Sequence, residues 1–486
     1  MHQANTADSY SQQTQGPTWP LLCRVGARPA PNRASGHPID CQPSLAAATR
    51  PIGIDAVAIG DAIRLSTAFG HGVVVPQAHG AAAGGLWFLA RRTDDVKRGE
   101  SGLPIELGSQ RDLFDVPEAV AYFNTANMSP LLHAVRDAGR AGLARRGAPW
   151  LVAAADWFED VERLRGCYSS ILGTDADGVA LIPATSYGLA VAAANLAATS
   201  DDHVVVLAQE YPSNYYTWRR FCLRTGAELV AVQRERGATW TDAVLAQLSE
   251  RTRVLAVPNV HWTDGSLLDL QTVVPAARRL GAVVAIDASQ SLGAMPLDVA
   301  RLRPDFVVSV GYKWLLGPFG VGCLYVDERY RDGEPLEENW INRAGSDDFA
   351  TLVDYTDEYR PGARRFDVGE RTNFGLVPMA IAAAEQLLDW TILEVAASLQ
   401  AVTDQIADHA ASVGLVTPRA DQRGPHMLGI ELPPGVASAT ARQLIDDGVI
   451  ASVRGRSLRI APHLHTTQDD VDRLVSLLTT SHIQAM

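Results

Sequence analysis

Lysine is almost missing from this chain. Of its 42 basic side chains only two, Lys97 and Lys313, are lysines, and the rest are arginines. Side-chain chemistry that needs a primary amine therefore has two places to occur. Cysteine is nearly as scarce: Cys23, Cys41, Cys167, Cys222 and Cys323 show no C-x-x-C spacing. That pattern speaks against a disulfide scaffold or a structural zinc site, so no metal centre is expected and a reducing cytoplasm is the expected compartment. Positive charge is in deficit, with 42 basic against 55 acidic residues and a formal charge of −13. Phosphate backbones select basic surfaces, so no nucleic-acid partner is expected. Nor does any run reach the roughly 18 uninterrupted apolar residues of a membrane span, and a phosphate-cradling G-x-x-x-x-G-K-[ST] loop is nowhere present.

What is there reads as a globular protein. The 486 residues, 47% hydrophobic and 20% charged, allow a multi-domain enzyme. Residues 1–109 carry Gln/Ser/Pro/Gly/Ala-rich stretches without sustained periodicity, and only two short apolar runs, 54–59 and 72–75. They read as a disordered extension, or as sequence translated upstream of the true start. From 110 to 375 strand and helix patterns alternate. Short apolar runs at 179–182, 204–208, 254–257, 283–286, 306–310 and 320–326 are separated by helical segments at 187–198, 215–225, 240–250 and 270–280. Apolar strands spaced by helices predict an α/β domain with a mostly parallel central sheet sandwiched by helices, and a ligand site at the strands' carboxyl ends. Residues 376–486 change character. Long helices at 377–390 and 394–413 precede strands at 427–432, 449–453 and 457–460 and a final helix from 468, which predicts a smaller C-terminal α+β domain.

Lys313 follows the apolar strand 306–310 and opens the Gly/Pro-rich turn SVGYKWLLGPFGVG. A lysine walled off from water there loses basicity and becomes nucleophilic enough to form a Schiff base; a surface lysine at a strand end is the plain alternative. Asp287 ends the strand VVAI, where it can meet a cationic ring nitrogen or cap a following helix, with Gln290 three residues on. Thr185 and Ser186 open an Ala-rich helix whose free N–H groups suit a phosphate, although hydroxyl residues there are also ordinary caps. Tyr211, just past another strand, can stack on a flat cofactor or pack in the core. Arg459, alone in the apolar strand SLRI, needs an anion: a substrate carboxylate or a structural ion pair. In that order, these residues describe a pocket for pyridoxal 5′-phosphate (PLP).

The chain resembles the class V aminotransferase family of PLP enzymes (fold type I), which includes cysteine desulfurases, kynureninases and isopenicillin-N-epimerase-like proteins. The likeness runs from about Tyr122, in YFNTANMSPL, to about Val475, and its specific signal is the D-x-x-Q before the strand–Lys segment. The resemblance implies that Lys313 holds PLP as a Schiff base, that Asp287 pairs with the pyridinium and Gln290 contacts the ring oxygen. It implies a phosphate site at Thr185 and Ser186, and ring stacking by Tyr211 in EYPSN. Tyr312 before the lysine is similar to the Tyr-Lys pair of kynureninases. Asn373 in GERTNF falls where kynureninase-like members place an Asn near the substrate, and Arg459 where the family receives the substrate α-carboxylate. A homodimer is implied as well.

One departure bears on function. Cysteine desulfurases place a mobile cysteine between the lysine and the carboxylate-binding arginine, and the only cysteine in that interval here is Cys323, within the strand GVGCLYV. It reads as buried packing, which speaks against desulfuration through a protein thiol. The expected activity is PLP-dependent chemistry on an α-amino acid, as an aminotransferase or a C–S/β-elimination lyase. A kynureninase-like hydrolase and an amino-acid epimerase are the enzyme alternatives, and a PLP-binding regulatory protein without turnover is the non-enzyme one. His261, Trp262 and Trp340 are candidates for the side-chain pocket, or ordinary packing.

Overall fold

Among the described residues twelve strands organise the fold: β1 (Ala121–Tyr122), β2 (Val179–Ile182), β3 (His203–Leu207), β4 (Glu228–Val232), β5 (Thr252–Pro258), β6 (Val283–Asp287), β7 (Phe306–Val310), β8 (Gly322–Val326), β9 (Leu428–Glu431), β10 (Val449–Ile450), β11 (Ser452–Arg454) and β12 (Ser457–Ile460). They come from a computed structural model that describes residues 106–480. The extension expected over 1–109, with its two apolar runs, lies outside the described residues as far as position 105. At its last residues the chain is already engaged, because Leu107 packs on the main core and its N–H donates to Ser398 Oγ (2.8 Å).

Seven strands form the central sheet in the order β2-β8-β7-β6-β5-β3-β4. Strands β3 to β7 run parallel, and β8 runs antiparallel to its neighbours β7 and β2. Strands β6, β7 and β8 are buried at every position, which is why they read as uninterrupted apolar runs. Alternate residues serve opposite faces. Val204 and Val206 pack with Trp218 and Phe221 of helix Pro212–Thr225, whereas Val205 and Leu207 share a core with Val273 of helix Leu270–Arg279 and Val161 of helix Glu159–Leu172. This mostly parallel sheet between two helical layers is the fold type I architecture. Strand β4, an edge strand with a half-exposed face, was not among the predicted strands because it lacks their apolar continuity.

A second sheet, β11-β12-β9, is antiparallel, and β1 pairs with β10 in parallel. Residues 449–453, predicted as one strand, divide at Ala451 into two strands with different partners. Two features differ from a division at position 375. Helix Leu376–Trp390 packs against helices His133–Arg146 and Glu159–Leu172 and belongs to the main core. Conversely, Ala121 and Phe123 join the C-terminal core with Ile430, Leu458 and Leu474. No single helix among the described residues is long and apolar enough to cross a membrane.

Candidate active site

Thr185, Ser186, Tyr211, Asp287, Gln290, Tyr312 and Lys313 follow the ends of β2, β3, β6 and β7, on the carboxyl side of the sheet. Strand β7 delivers Lys313 through a tight turn. At Gly311 a Cβ would stand 2.4 Å from the carbonyl oxygen of Val321, so only glycine fits. Lys313 is 6% exposed. Its Nζ lies 5.3 Å from the Tyr211 ring centroid and 5.8 Å from that of Tyr312. That burial excludes the surface-lysine reading, and Nζ has no ion-pair partner among the described residues. Burial pushes its pKa down to about 8; Asp287 opposes the shift, and the charges of Arg459 and Arg454 add to it. At pH 7 that makes the free amine roughly 300-fold more abundant than on an exposed lysine.

Asp287 ends β6, fully within the protein. Its Oδ1 accepts from the Ser289 N–H (3.0 Å). The residues after it form turns, not a helix, so it caps nothing. Burial raises its pKa, while the Ser289 hydrogen bonds and Lys313 favour the carboxylate. Gln290 is buried too. It donates Nε2 to the Ala126 carbonyl (3.1 Å) and accepts from Trp314 Nε1 (3.0 Å), which leaves one amide N–H for a further acceptor. With Ser129 N–H donating to the Tyr312 carbonyl (3.0 Å), the segment 124–129 is tied to the lysine turn.

Thr185 and Ser186 open helix Thr185–Ala194 directly after β2, and the first N–H groups of a helix have no acceptor within it. Thr185 is buried, with Oγ1 2.9 Å from Ser289 Oγ; Ser186 is exposed. The helix starts close to the sheet because position 188 is glycine: a Cβ there would meet Val308 Cγ1 at 2.7 Å and Ile182 Cδ1 at 2.8 Å. Tyr211 sits edge-on to Trp262, with centroids 5.7 Å apart. Gln209, two residues earlier, takes φ 55°, the left-handed region that side chains disfavour. Its carbonyl accepts from Trp262 Nε1 (2.7 Å).

Sequence reasoning missed Glu210. This carboxyl is buried beside the cluster, and Oε1 accepts from the Tyr211 N–H (2.6 Å). Burial raises its pKa to about 8, and the nearby Asp287 charge adds to the shift, so at neutral pH it holds a proton. The available signal was an acid directly following the apolar strand VVVLAQ.

On the small domain, Arg459 is 1% exposed. It donates Nε to Ser452 Oγ (3.1 Å) and an NH to the Trp262 carbonyl (2.7 Å). It has no carboxylate partner among the described residues, which removes the structural ion pair as its explanation. Burial lowers its pKa to about 9, Arg454 adds repulsion and Tyr122 opposes it.

Three candidates are engaged elsewhere in this chain. His261 is buried and stacked on Trp240 at 5.1 Å, with Nδ1 2.7 Å from Thr263 Oγ1 and Nε2 3.2 Å from the Ala208 carbonyl, as ordinary packing requires. Trp340 belongs to a separate aromatic group with Trp157 and Phe349. Asn373 is exposed, and its Oδ1 accepts from the N–H groups of Gly375 and Leu376, capping the start of helix Leu376–Trp390. Cys323 lies inside β8, and burial pushes its thiol up to about 12, as packing requires.

The chemistry of this set fits PLP. A poorly basic buried amine suits an aldehyde, a buried carboxylate a ring nitrogen, a tyrosine face a flat ring, and a helix start with hydroxyls a phosphate. Comparison with known proteins agrees. The chain is 27% identical over 338 residues to an uncharacterized aminotransferase, YcbU, of Bacillus subtilis, covering 68% of this chain and 88% of that protein. It is 26% identical over 341 residues to isopenicillin N epimerase of Streptomyces clavuligerus, covering 65% and 82% respectively. The fold matches a cysteine desulfurase from Thermococcus onnurineus with a TM-score of 0.68 at 16% identity, over 78% of this chain and 100% of that one. Residues 150–474 match the family model described as aminotransferase class-V; the chain therefore belongs to the class-V aminotransferase family and is a PLP-dependent enzyme of the aminotransferase/lyase kind.

Proposed function

We propose that the enzyme acts on a free α-amino acid, with Lys313 as the residue that holds PLP and Arg459 as the residue that holds the substrate α-carboxylate. One observation carries this reading: Arg459 is 1% exposed yet has no carboxylate partner among the described residues. An uncompensated buried cation is costly, and a carboxylate matches the guanidinium fork. PLP, when bound, supplies an electron sink for the bond broken at Cα. Asp287 would hold the proton on the ring nitrogen, and Tyr211 would cover a ring face and exclude water from it. Thr185 and Ser186 take the phosphate, and Gln290 has one N–H left for the ring oxygen. Tyr312, packed on Phe319, shields the amine from the other side. Lys313 Nζ, when not joined to the cofactor, would be the base and acid at Cα.

A protein thiol as sulfur acceptor is not part of this reading. Burial pushes Cys323 up to about 12 and Cys167 and Cys222 to about 11. Amino transfer and β-elimination are the leading outcomes, with epimerisation and kynureninase-like hydrolysis as the alternatives; release of pyruvate and ammonia marks elimination, and keto-acid dependence marks amino transfer. The three described cysteines are free and buried, in keeping with a cytoplasmic enzyme. Exposed apolar side chains such as Trp150, Leu151 and Tyr355 support a homodimer, which light scattering would test.

The test is a visible-light titration of the holoenzyme with a panel of amino acids. Lys313→Ala should lose the lysine-bound cofactor band. Arg459→Gln should keep that band but need at least about tenfold more amino acid to perturb it. Full turnover in Lys313→Ala, or an unchanged titration in Arg459→Gln, would overturn the assignment.

A further inference from the structure

The hairpin that carries Arg459 carries a second arginine, and the chemistry above leaves it unused. β11 and β12 pair so that Ser452 stands opposite Arg459 and Arg454 opposite Ser457. Side chains alternate along a strand, so Arg454 and Arg459 project from the same face. Both reach Trp262: Arg459 donates to its carbonyl, and the Arg454 guanidinium carbon lies 5.9 Å from its indole centroid.

Beside that face a groove of about 760 Å³ runs between the small domain and the loops after β3, β4 and β5, and four arginines line it. Three are matched by acids. Arg234 pairs with Asp264 (2.9 Å), and Arg456 (3.0 Å) and Arg236 (3.9 Å) share Glu431. Arg454 has no carboxylate partner among the described residues; one NH donates to the carbonyl of Val453, the residue before it (2.9 Å). Its charge is nevertheless felt inside the site, where it disfavours the protonated forms of both Lys313 and Arg459. Two unpaired guanidinium groups on one face repel each other, and a single α-carboxylate engages only one.

We infer that Arg454 receives a second anionic group at the end of the substrate side chain, so that the substrate is an amino acid with an acidic side chain. The inference rests on the reading of Arg459 as the α-carboxylate site. The α-carboxylate is held by Arg459, the reacting Cα faces Lys313, and the side chain extends toward the groove mouth, where its terminal carboxylate meets the Arg454 fork. A neutral side chain would leave Arg454 uncompensated, which selects against it.

Calorimetry of the holoenzyme with acids that carry no amine tests this without turnover. Succinate, glutarate and adipate are compared with butyrate. At least one diacid should bind about 10- to 100-fold more tightly than butyrate, as expected for a second charge-assisted contact. Arg454→Gln should remove that advantage and leave butyrate unchanged. Arg454→Lys, which keeps the charge, should retain part of it and so separate a lost contact from a damaged fold. Arg459→Gln should weaken butyrate; if it does not, the α-carboxylate assignment fails whatever Arg454 does. The inference on Arg454 is overturned if no diacid exceeds butyrate, if the preference survives Arg454→Gln, or if that variant weakens butyrate as much as the diacid.

Discussion

Freed of cofactor, Lys313 becomes a titratable amine whose basicity can be measured directly. Its surroundings bring the pKa from an ordinary 10.5 to about 8, which corresponds to about 3 kcal/mol against the ammonium form. At pH 7 roughly a tenth of the amine is then free, against roughly 0.03% on an exposed lysine. The assay is reductive trapping: cofactor-free protein reacts with pyridoxal under borohydride, and peptide mapping locates the adduct. Nα-acetyl-lysine serves as the solution reference. The trapping rate at Lys313 should rise with pH through an inflection near 8 and level off above it. Two substitutions should move that inflection in opposite directions. Asp287→Asn removes the charge that favours the ammonium, so the inflection falls; Arg459→Gln removes a repelling cation, so it rises. An inflection near 10, movement of both variants in one direction, or an adduct on another residue would refute the reasoning.

Glu210 gives a stability test. Its folded-state pKa is about 8 against an ordinary 4.5, so its contribution is full below the lower value and is lost as pH climbs through the upper one. Glu210→Gln should cancel about 1.4 kcal/mol of loss per pH unit across that window; thermal midpoints from pH 5 to 9 should diverge in favour of the variant, and parallel curves would count against a buried acid. Arg165 and Asp367 form a fully buried pair (2.7 Å), and Asp367 also accepts from the Leu181 N–H (2.7 Å). Arg165→Met should cost about 3 kcal/mol or more in urea unfolding; a loss under about 1 kcal/mol would contradict that. Gly188→Ala drives a methyl into Val308 and Ile182 and should cost about 1–3 kcal/mol. It should also weaken PLP binding more than pyridoxal binding, and equal effects on the two would disconnect the helix start from the phosphate.

The parts of the site written in single residues were legible in the sequence. A lone amine after a buried strand, an acid closing β6 and an arginine inside β12 carry their message locally, because an apolar strand fixes which way its end faces. The central sheet was legible for the same reason. Partnership was not. Whether an arginine is matched by an acid depends on residues far along the chain, so Arg454 looked like any of its many fellows until Asp264 and Glu431 proved to be taken by others. His261 shows the converse: a histidine after a strand reads alike whether its ring enters a pocket or lies beneath Trp240. Glu210 escaped because its burial, and hence its proton, is a tertiary property. Strand β1 is too short for any periodicity, and its pairing with β10 is invisible without the fold.

That last pairing sets a timetable for synthesis. Ala121 leaves the ribosome early, yet its hydrogen-bonding edge is completed only when Val449 emerges. The C-terminal layer thus needs a strand made more than 300 residues before its partner, so a nascent chain carries an open edge through all of that stretch. A fragment beginning at the C-terminal helices would lack Ala121 and Phe123 from its interior. The small domain is consequently a poor candidate for separate expression, and slow elongation through the middle of the message should raise the yield of misassembled protein.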